Sequence, residues 1–300
     1  MFTQLRNTIL ISCIQRQAHV PSTISEFSER AALLRSDTHS YTDRLAAILI
    51  KLSNLRADIS AKYIVDDVEI LSAAQAIESE LTTWVITLPQ KWAYHTFEVP
   101  ERDFVPAANK AGLYPYDGRY HIYADFYISH AWNNYRAASI IANEIILGQL
   151  HRLSTQSATL SFSSESRVRC RSIRATQRQL ALDICHSVPF HLDLVDAEEV
   201  QRSRPLGSVG GFILLYPLFV AACVYGTAHP VGKWVIDCYK LIRRTHGTEE
   251  ALALVDILNG RLTSEGRDWA QEDPDIVEQS NVNEGKVEEV TEVSTDGNSH

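Results

Sequence analysis

Three carboxylates within one turn of a predicted helix are the first residues in this chain whose spacing could support chemistry. They lie in Asp66-Asp67-Val68-Glu69, and carboxylates grouped in this way can hold Mg²⁺ against a diphosphate group. Such sites need a second set of ligands on another helix, but Asn143-Glu144 is not followed by the Ser and Glu that would complete it. We therefore interpret Asp66 as a helix N-cap and Glu69 as its partner in a capping box.

Two histidines and two aspartates form the second candidate site. His186, His191, Asp193 and Asp196 are types of residue that bind metal ions. Pro189 lies between the histidines, and we expect it to end the helix there, so that His186 and His191 share no helical face. The pattern therefore predicts loop histidines that bond to backbone groups or solvent, and no metal site.

The remaining motifs do not form a catalytic set. Gly207-Ser208-Val209-Gly210 lacks the GxSxG spacing of a nucleophile elbow, and no phosphate-binding glycine loop or HExxH motif occurs. The arginines from Arg167 to Arg178 have few lysines and no aromatic residues beside them, which favours a solvated helix face or a surface for acidic partners. We predict no catalytic residue, no cofactor site and no enzymatic activity.

The five cysteines indicate a reducing compartment. They are odd in number, widely spaced and include no CxxC pair, and Cys13 has no neighbouring cysteine that could share a metal ion. Two of them, Cys223 and Cys238, fall within apolar helical patterns, where a free cysteine behaves as a small hydrophobic residue.

These residues must be positioned by helices, because no stretch shows the alternation of a sheet. The central helix is predicted at about 211–226, where Phe212 to Tyr225 is apolar on every side. It is too short to cross a bilayer and contains Pro217, so we expect the protein core to enclose it. The sequence predicts an all-α fold, a multi-helix array around this buried helix.

Other helices are predicted from apolar spacing and capping signals. Between Pro89 and Asp117, prolines and an Asp-Gly pair predict an irregular aromatic loop over the helical core. After the central helix, Pro230 begins a helix that Gly247 caps in the left-handed conformation. The predicted ranges are about 25–35, 41–59, 67–88, 120–149, 168–187, 230–246 and 248–260.

Charge divides the chain into a nearly neutral body and an acidic end. From Arg261 to His300, eleven Asp and Glu stand against three Lys and Arg, a net charge of −8 out of −9 for the whole chain. The body is therefore not a basic nucleic-acid platform. We predict a poorly defined segment at 1–20, a helical domain at 21–262, and an acidic tail at 263–300 that is largely disordered.

Four segments of the helical domain resemble the regulatory region of fungal zinc-cluster (Zn2Cys6) transcription factors, in the branch described as the second type of fungal-specific transcription factor domain. The resemblance covers about residues 20 to 260 and depends on the order of the four segments, since each one alone is weak. They are Trp84 with Leu88-Pro89-Gln90-Lys91-Trp92, then Trp132 to Ala138 with Asn143 to Ile146, then Asp183 to Leu192, and Gly211 to Ala221.

The resemblance implies a nuclear transcriptional regulator that controls a metabolic or secondary-metabolite pathway. Its partners would be proteins of the transcription machinery or another transcription factor, with a small effector held among the buried aromatic residues. Family members bind DNA through six cysteines that hold two zinc ions, and this sequence contains no such cluster. We expect no DNA-binding motif, no zinc and no membrane contact in this chain, which is either a natural short protein or part of a longer one.

Two alternatives remain. The first is an all-α Mg²⁺-dependent enzyme of isoprenoid chemistry, similar to terpene synthases, that uses Asp66, Asp67 and Glu69. The second is an interaction scaffold that binds no effector.

Overall fold

The N-terminal part of the fold consists of three helices that bury one another's apolar faces. In the computed structural model, which describes residues 2–34, 37–99, 113–156, 164–192, 194 and 209–264, these helices are α1 (Phe2–Arg16), α2 (Ser22–Leu34) and α3 (Asp37–Ser60). The predicted apolar face of α3 is confirmed, since Leu45, Ile48, Leu49, Leu52 and Leu55 are all buried.

Helix α1 was not predicted, because its apolar residues do not form a clear stripe. Leu10 and Ile14 are buried, but Leu5 is largely exposed. A buried ion pair also holds α1 on α3, with Arg6 Nη1 2.7 Å from Asp43 Oδ1. A polar contact of this kind leaves no hydrophobic signal in the sequence.

Helix α4 (Asp67–Ile86) begins where its cap predicts. The Asp66 carboxylate accepts hydrogen bonds from the backbone N–H groups of Val68 and Glu69, at 2.7 and 3.1 Å. The buried face of the helix ends with Trp84, and Pro89 follows its last turn. The predicted N-cap is therefore confirmed.

A short two-stranded sheet interrupts the helices. Strand β1 (His95–Glu98) pairs antiparallel with β2 (Arg119–Ile122), so that His95 lies opposite Ile122 and Glu98 opposite Arg119. A single turn of 3₁₀-helix (Tyr116–Gly118) precedes β2. Each strand has only four residues, which is too short for alternation to be recognised in the sequence.

The prediction of a helix from Tyr120 was wrong, because Tyr120 lies in β2. Helix α5 (Phe126–Gln156) begins six residues later, where Asp125 Oδ1 accepts a hydrogen bond from the Ile128 N–H at 2.8 Å. An aspartate in this position is an N-cap, and its local hydrogen bond sets the start of the helix. The helix was predicted too early because residues with helical spacing already begin at Tyr123, before the N-cap.

Helix α6 (Ser164–Leu192) packs along α5 and continues past its proline. The prediction that Pro189 ends this helix was therefore wrong. A proline removes one backbone hydrogen bond from a helix, and the surrounding packing can offset that loss. Here the next turn is closed by the Leu194 N–H, which donates to the Pro189 carbonyl at 3.1 Å, and Val188 and Phe190 are both buried.

Helix α7 (Val209–Tyr225) is the buried central helix that the sequence predicts. Leu214, Leu218 and Ala221 are completely buried, and α7 packs against α5, α6 and α8. The Tyr239 hydroxyl of α8 donates to the Leu215 carbonyl at 2.8 Å. The prediction that this helix is buried on every side holds only in part, because Phe212 is 48% exposed.

Helices α8 (Pro230–His246) and α9 (Glu250–Ser264) complete the described residues. Gly247 has a φ of 67° and caps α8 in the left-handed conformation, as predicted. Helix α9 starts two residues later than predicted and runs past Asn259-Gly260, since one glycine weakens a helix without necessarily ending it. Residues from 265 to the C-terminus, which include all but the first two residues of the acidic tail predicted at 263–300, lie outside the described residues.

The all-α prediction is thus confirmed, with β1 and β2 as the one sheet among the described residues. Two compact units are distinguished, and the first ends at Leu258, within α9. None of the described helices combines the length and the apolar character that a membrane crossing would require.

Candidate functional site

A fully buried arginine lies at the centre of the array. Arg136, on α5, is 1% exposed, and its Nη1 donates hydrogen bonds to the Tyr123 hydroxyl at 2.7 Å and to Asn133 Oδ1 at 3.0 Å. The guanidinium also lies 4.9 Å from the centre of the Tyr94 ring and 5.4 Å from that of Trp132. Ring faces and neutral oxygens therefore stabilise this buried charge.

The electrostatics of the cluster keep Arg136 charged and Tyr123 neutral. Burial raises the pKa of the Tyr123 hydroxyl, and the nearby Arg136 offsets only part of this change. Burial by itself would lower the pKa of Arg136, but Tyr123, Tyr94 and Asp183 together raise it. We infer that these groups position one another and that neither transfers a proton near neutral pH.

Aromatic side chains from separate parts of the chain meet at Trp132, whose ring contacts Arg136. The Trp84 ring lies 6.0 Å from the Trp92 ring and 6.0 Å from that of Trp132, both in edge-to-face geometry. The Trp132 Nε1–H donates to the Trp92 carbonyl at 2.9 Å. The first two segments that carry the family resemblance are therefore in direct contact, and the rings fill the space between them.

The third of these segments, on α6, joins the same cluster. Asn133 Nδ2 donates to Ser187 Oγ at 2.9 Å and lies 3.3 Å from His191 Nε2. Burial, together with His130 and Arg136, lowers the pKa of His191 to about 3, so that its ring is neutral. His191 thus fills a buried position in α6, which corrects the prediction of a loop histidine bonded to backbone groups or solvent.

His186 takes part in a second polar cluster, between α6 and the turn before β2. His186 Nε2 lies 2.9 Å from Asp117 Oδ1, and His121 Nε2 of β2 lies 3.8 Å from Asp183 Oδ1 of α6. One ligand atom from each of His121, Asp183 and His186 lies within 4.8 Å of the others. Of the two histidines considered from the sequence, only His186 lies in this group.

Backbone conformation positions Asp117 in this cluster. Asp117 has a φ of 48°, in the left-handed region that few residues other than glycine adopt, and Gly118 follows with a φ of 75°. A Cβ atom at Gly118 would lie 2.8 Å from the Val99 carbonyl oxygen, so this position requires glycine. The Asp-Gly pair, predicted as a turn, thus directs the aspartate towards His186.

Burial and charge determine the protonation of this group. Burial lowers the pKa of His121 to about 4 and also lowers that of His186, although Asp183 and Asp117 respectively oppose these shifts. Burial alone would raise the pKa of Asp183, but His121, Arg136 and Gln179 together lower it. At neutral pH the cluster therefore contains two neutral imidazoles and an ionised carboxylate at Asp183.

A polar cleft of about 380 Å³ opens between α4, α5 and α6. Its charged groups are Glu78 of α4 and Arg169 of α6, and its apolar wall includes Ile146 and Ile173. The remaining residues carry amides and hydroxyls: Gln75, Asn143, Ser172 and Thr176. The volume lies near the lower end of the range for small-molecule sites, and the mixed charges suit a small polar ligand.

The arginines of α6 do not form one uniform surface. Arg167, Arg169 and Arg171 are exposed, whereas Arg174 and Arg178 are half-buried. Arg169 lines the cleft, a role that the sequence did not indicate because the opposing residues lie on other helices. The prediction of a solvated face therefore holds for the first part of the run.

The acidic group at the start of α4 has structural contacts. Asp66 caps the helix, and Asp67 Oδ1 lies 3.5 Å from Arg152 Nη1 of α5. These contacts use the carboxylates to hold α4, as the capping interpretation predicts for Asp66. Gly207 and Ser208 of the serine motif, together with Asp193 and Asp196, lie outside the described residues.

Comparisons of the chain with models of protein families, with curated proteins and with solved structures found no match.

Proposed function

We propose that this chain is the regulatory domain of a transcription regulator of the fungal zinc-cluster type and binds its effector or partner without transforming it. The observation that carries this proposal is the convergence of the segments that resemble that family. They are distant in sequence, yet the first and third both contact the second, which contains Arg136, and the fourth, α7, packs against α5 and α6. Packing against one another in the core would explain why the four segments occur together in one sequence.

The contacts within this cluster support a role in binding or regulation. The hydrogen bonds of Arg136, Asn133 and Trp132 join α5 to α6 and to the loop before β1. Groups whose pKa values keep them in one protonation state at neutral pH suit a framework better than acid–base catalysis. The cluster around Arg136 therefore stabilises the domain, and the effector binds at a different site.

The polar cleft is the place that we assign to a small effector. Glu78 and Arg169 would face a ligand that carries both an ammonium and an acidic group, and the amides would bind its neutral polar atoms. The sequence placed the effector among the buried aromatic residues, but Trp84 and Trp92 already pack there against each other. The cleft offers room of suitable size outside that packed region.

The proposed partners are proteins of the transcription machinery or another transcription factor, in the nucleus. Specific DNA contact would come from such a partner, because the sequence contains no six-cysteine zinc cluster and its body is nearly neutral. The scaffold alternative differs from this proposal in having no effector.

The isoprenoid-enzyme alternative gains no support from the positions of its acidic residues. Two backbone N–H groups already bond to the Asp66 carboxylate. Within the described part of the chain, Asp67 Oδ1 lies 3.5 Å from the cationic Arg152 Nη1. We therefore retain the regulatory function as the proposal.

A tethered reporter assay tests this function. The chain would be fused to a DNA-binding domain of another protein, and transcription would be measured from a promoter that carries the matching site. We expect the fusion to change transcription relative to the DNA-binding domain alone. Arg169→Glu should reduce the change, whereas Arg171→Glu, one exposed position outside the cleft, should not. Equal transcription from the intact fusion and the DNA-binding domain alone would refute the proposal.

A further inference from the structure

We propose that His121, Asp183 and His186 bind a divalent transition-metal ion such as Zn²⁺, with Asp117 completing the site. The three side chains come from β2 and α6 and offer ligand atoms within 4.8 Å of one another. Two imidazoles with carboxylates are a common ligand set for Zn²⁺ and for related metal ions. The site goes beyond the proposed function and is independent of the cleft.

His121 is the residue that points most directly to a ligand. Its side chain is buried, with the whole residue 2% exposed, yet its Nε2 atom has no hydrogen-bond partner. A buried polar atom without a partner costs free energy, and native proteins usually avoid it. The 3.8 Å separation from Asp183 Oδ1 is too long for a hydrogen bond, and a metal ion between the two atoms would give Nε2 a partner.

The other ring nitrogen of His121 is held in the way typical of metal-binding histidines. Its Nδ1 lies 3.0 Å from Thr96 Oγ1 of β1. When Nδ1 carries the proton, the Nδ1–H group donates a hydrogen bond to this hydroxyl, and Nε2 presents its lone pair towards Asp183. The antiparallel pairing of Thr96 with His121 fixes the two side chains next to each other.

The α6 residues are also in a suitable arrangement. Asp183 and His186 are three residues apart, so they lie on the same face of the helix. Gln179 Nε2 donates to Asp183 Oδ1 at 2.9 Å and orients this carboxylate from the preceding turn. His121 and Asp183 therefore each have a neighbour that orients them, Thr96 and Gln179 respectively. His186 and Asp117 would exchange their mutual 2.9 Å contact for bonds to the ion.

Closure around an ion requires a modest movement. Ligand atoms of a tetrahedral zinc site lie about 3.3 Å apart, since each bond is about 2.0 Å long. The present spread of up to 4.8 Å must therefore contract by about 1.5 Å. Asp117 and Asp183 have side chains that are 38% and 17% exposed, which gives them freedom to rotate and leaves a route for the ion.

Charge favours a cation at this position in spite of the nearby arginine. Asp117 and Asp183 supply two carboxylates. Of the two nearby arginines, Arg136 is contacted by the rings of Tyr94 and Trp132, and Arg119 is paired with Glu98. A bound ion would fasten the Asp-Gly turn and β2 to α6. It would stabilise the folded chain according to its concentration relative to its dissociation constant.

Titration of the untagged, chelator-treated chain with Zn²⁺ and Co²⁺ tests the proposal. We expect one equivalent of Zn²⁺ to bind, a rise in Tm with Zn²⁺ concentration, and the visible absorption bands of tetrahedral Co²⁺. His186→Gln and Asp183→Asn should each weaken Zn²⁺ binding by about tenfold or more. The matched control is His151→Gln, which removes an exposed histidine and should bind Zn²⁺ as the original chain does.

Circular dichroism without metal separates lost ligands from lost folding. Asp183→Asn keeps the shape of the side chain and is the variant to rely on if His186→Gln does not fold. The proposal is overturned if the original chain shows no saturable binding of one equivalent, or if folded Asp183→Asn binds Zn²⁺ as tightly as the original chain. Either result would leave the regulatory function unaffected.

Discussion

Arg136 shows how a single buried charge can organise a helical core. Its contacts join the loop before β1, the residue after β2 and its own helix α5, and three aromatic rings surround the guanidinium. Isolated in an apolar interior, such a charge would be very unfavourable, so its value to the fold depends on those neighbours. Substitution of the residues that contact Arg136 should therefore destabilise the fold, although these residues do not line the cleft.

Arg136→Met should lower the free energy of unfolding by about 3 kcal/mol, because Tyr123 and Asn133 would lose their buried donor. Urea unfolding measures this change. Arg152→Met is the control, since the Arg152 side chain is exposed and lies 3.5 Å from Asp67, and it should cost less than about 1 kcal/mol. Equal losses in the two variants would show that Arg136 is not central to the core.

Stability should also fall at acidic pH because of buried histidines. Burial lowers the pKa of His130 to about 4 and that of His191 to about 3, against about 6.5 in the unfolded chain. Between the folded and unfolded pKa values, the unfolded chain binds protons that the folded chain does not. The stability that these neutral histidines contribute is therefore fully present above about pH 6.5 and is lost as the pH falls below it. The loss at pH 5 is roughly 2 kcal/mol for each histidine.

Urea unfolding at pH 7 and pH 5 checks this prediction. His191→Gln should reduce the pH-dependent loss by the share of one histidine, whereas His151→Gln, an exposed position, should retain the whole loss. Carboxylates that titrate in the same range contribute equally to all three proteins and cancel in the comparison. A pH dependence that is identical in His191→Gln and the original chain would contradict the assignment.

At the scale of elements, the contact between the α7–α8 connection and α8 depends on a glycine. A Cβ atom at Gly232 would lie 2.1 Å from the Gly226 carbonyl oxygen and 2.7 Å from Thr227 Cα. These are backbone atoms, so the two segments would have to separate. Gly232→Ala should therefore destabilise the chain by about 2 kcal/mol in urea unfolding.

Gly148 provides the matched control for this substitution. It lies in α5, and a Cβ atom there would meet nothing within 4 Å. Because alanine favours the helix, Gly148→Ala should stabilise the chain by roughly 0.5 to 1 kcal/mol. Glycine-to-alanine substitution is thus expected to lower the free energy of unfolding at Gly232 and to raise it at Gly148. A lower free energy of unfolding for Gly148→Ala would contradict this expectation.

The cap of α4 is a further test at this scale. Asp66→Ala should cost about 1 kcal/mol, because two backbone N–H groups lose their acceptor, while Asp66→Asn should retain most of the stability. If the residue instead served a magnesium site, Asp66→Asn would abolish Mg²⁺-dependent diphosphate release. Assays of unfolding and of diphosphate release in the same two variants distinguish the roles.

Most helices could be predicted because burial and capping leave local signals. The stripe of α8, its glycine cap and the Asp66 cap of α4 are properties of a few neighbouring residues. The end of α6 could not be predicted, because packing around Val188 and Phe190 outweighs the effect of Pro189. Helix α1 was missed for a related reason, since a buried ion pair with α3 supplies part of its contact.

At the scale of the whole molecule, the site residues are brought together by tertiary contacts. His186 and Asp117 are 69 residues apart in sequence, and no spacing rule connects them. The cleft likewise combines Glu78 and Arg169 from different helices. Local patterns identified His186 as a candidate ligand, but its partners could be found only from the packing of β2 and the Asp-Gly turn against α6.

The central claim is that the array binds a small polar molecule in the cleft without converting it. The measurement is thermal unfolding of the purified chain with a library of zwitterionic and anionic metabolites, followed by recovery and mass analysis of each compound. We predict that at least one compound raises Tm with concentration, that Arg169→Glu abolishes the shift while Arg171→Glu retains it, and that the compound is recovered unchanged. Conversion of the compound, or an equal shift in Arg169→Glu, would contradict the account.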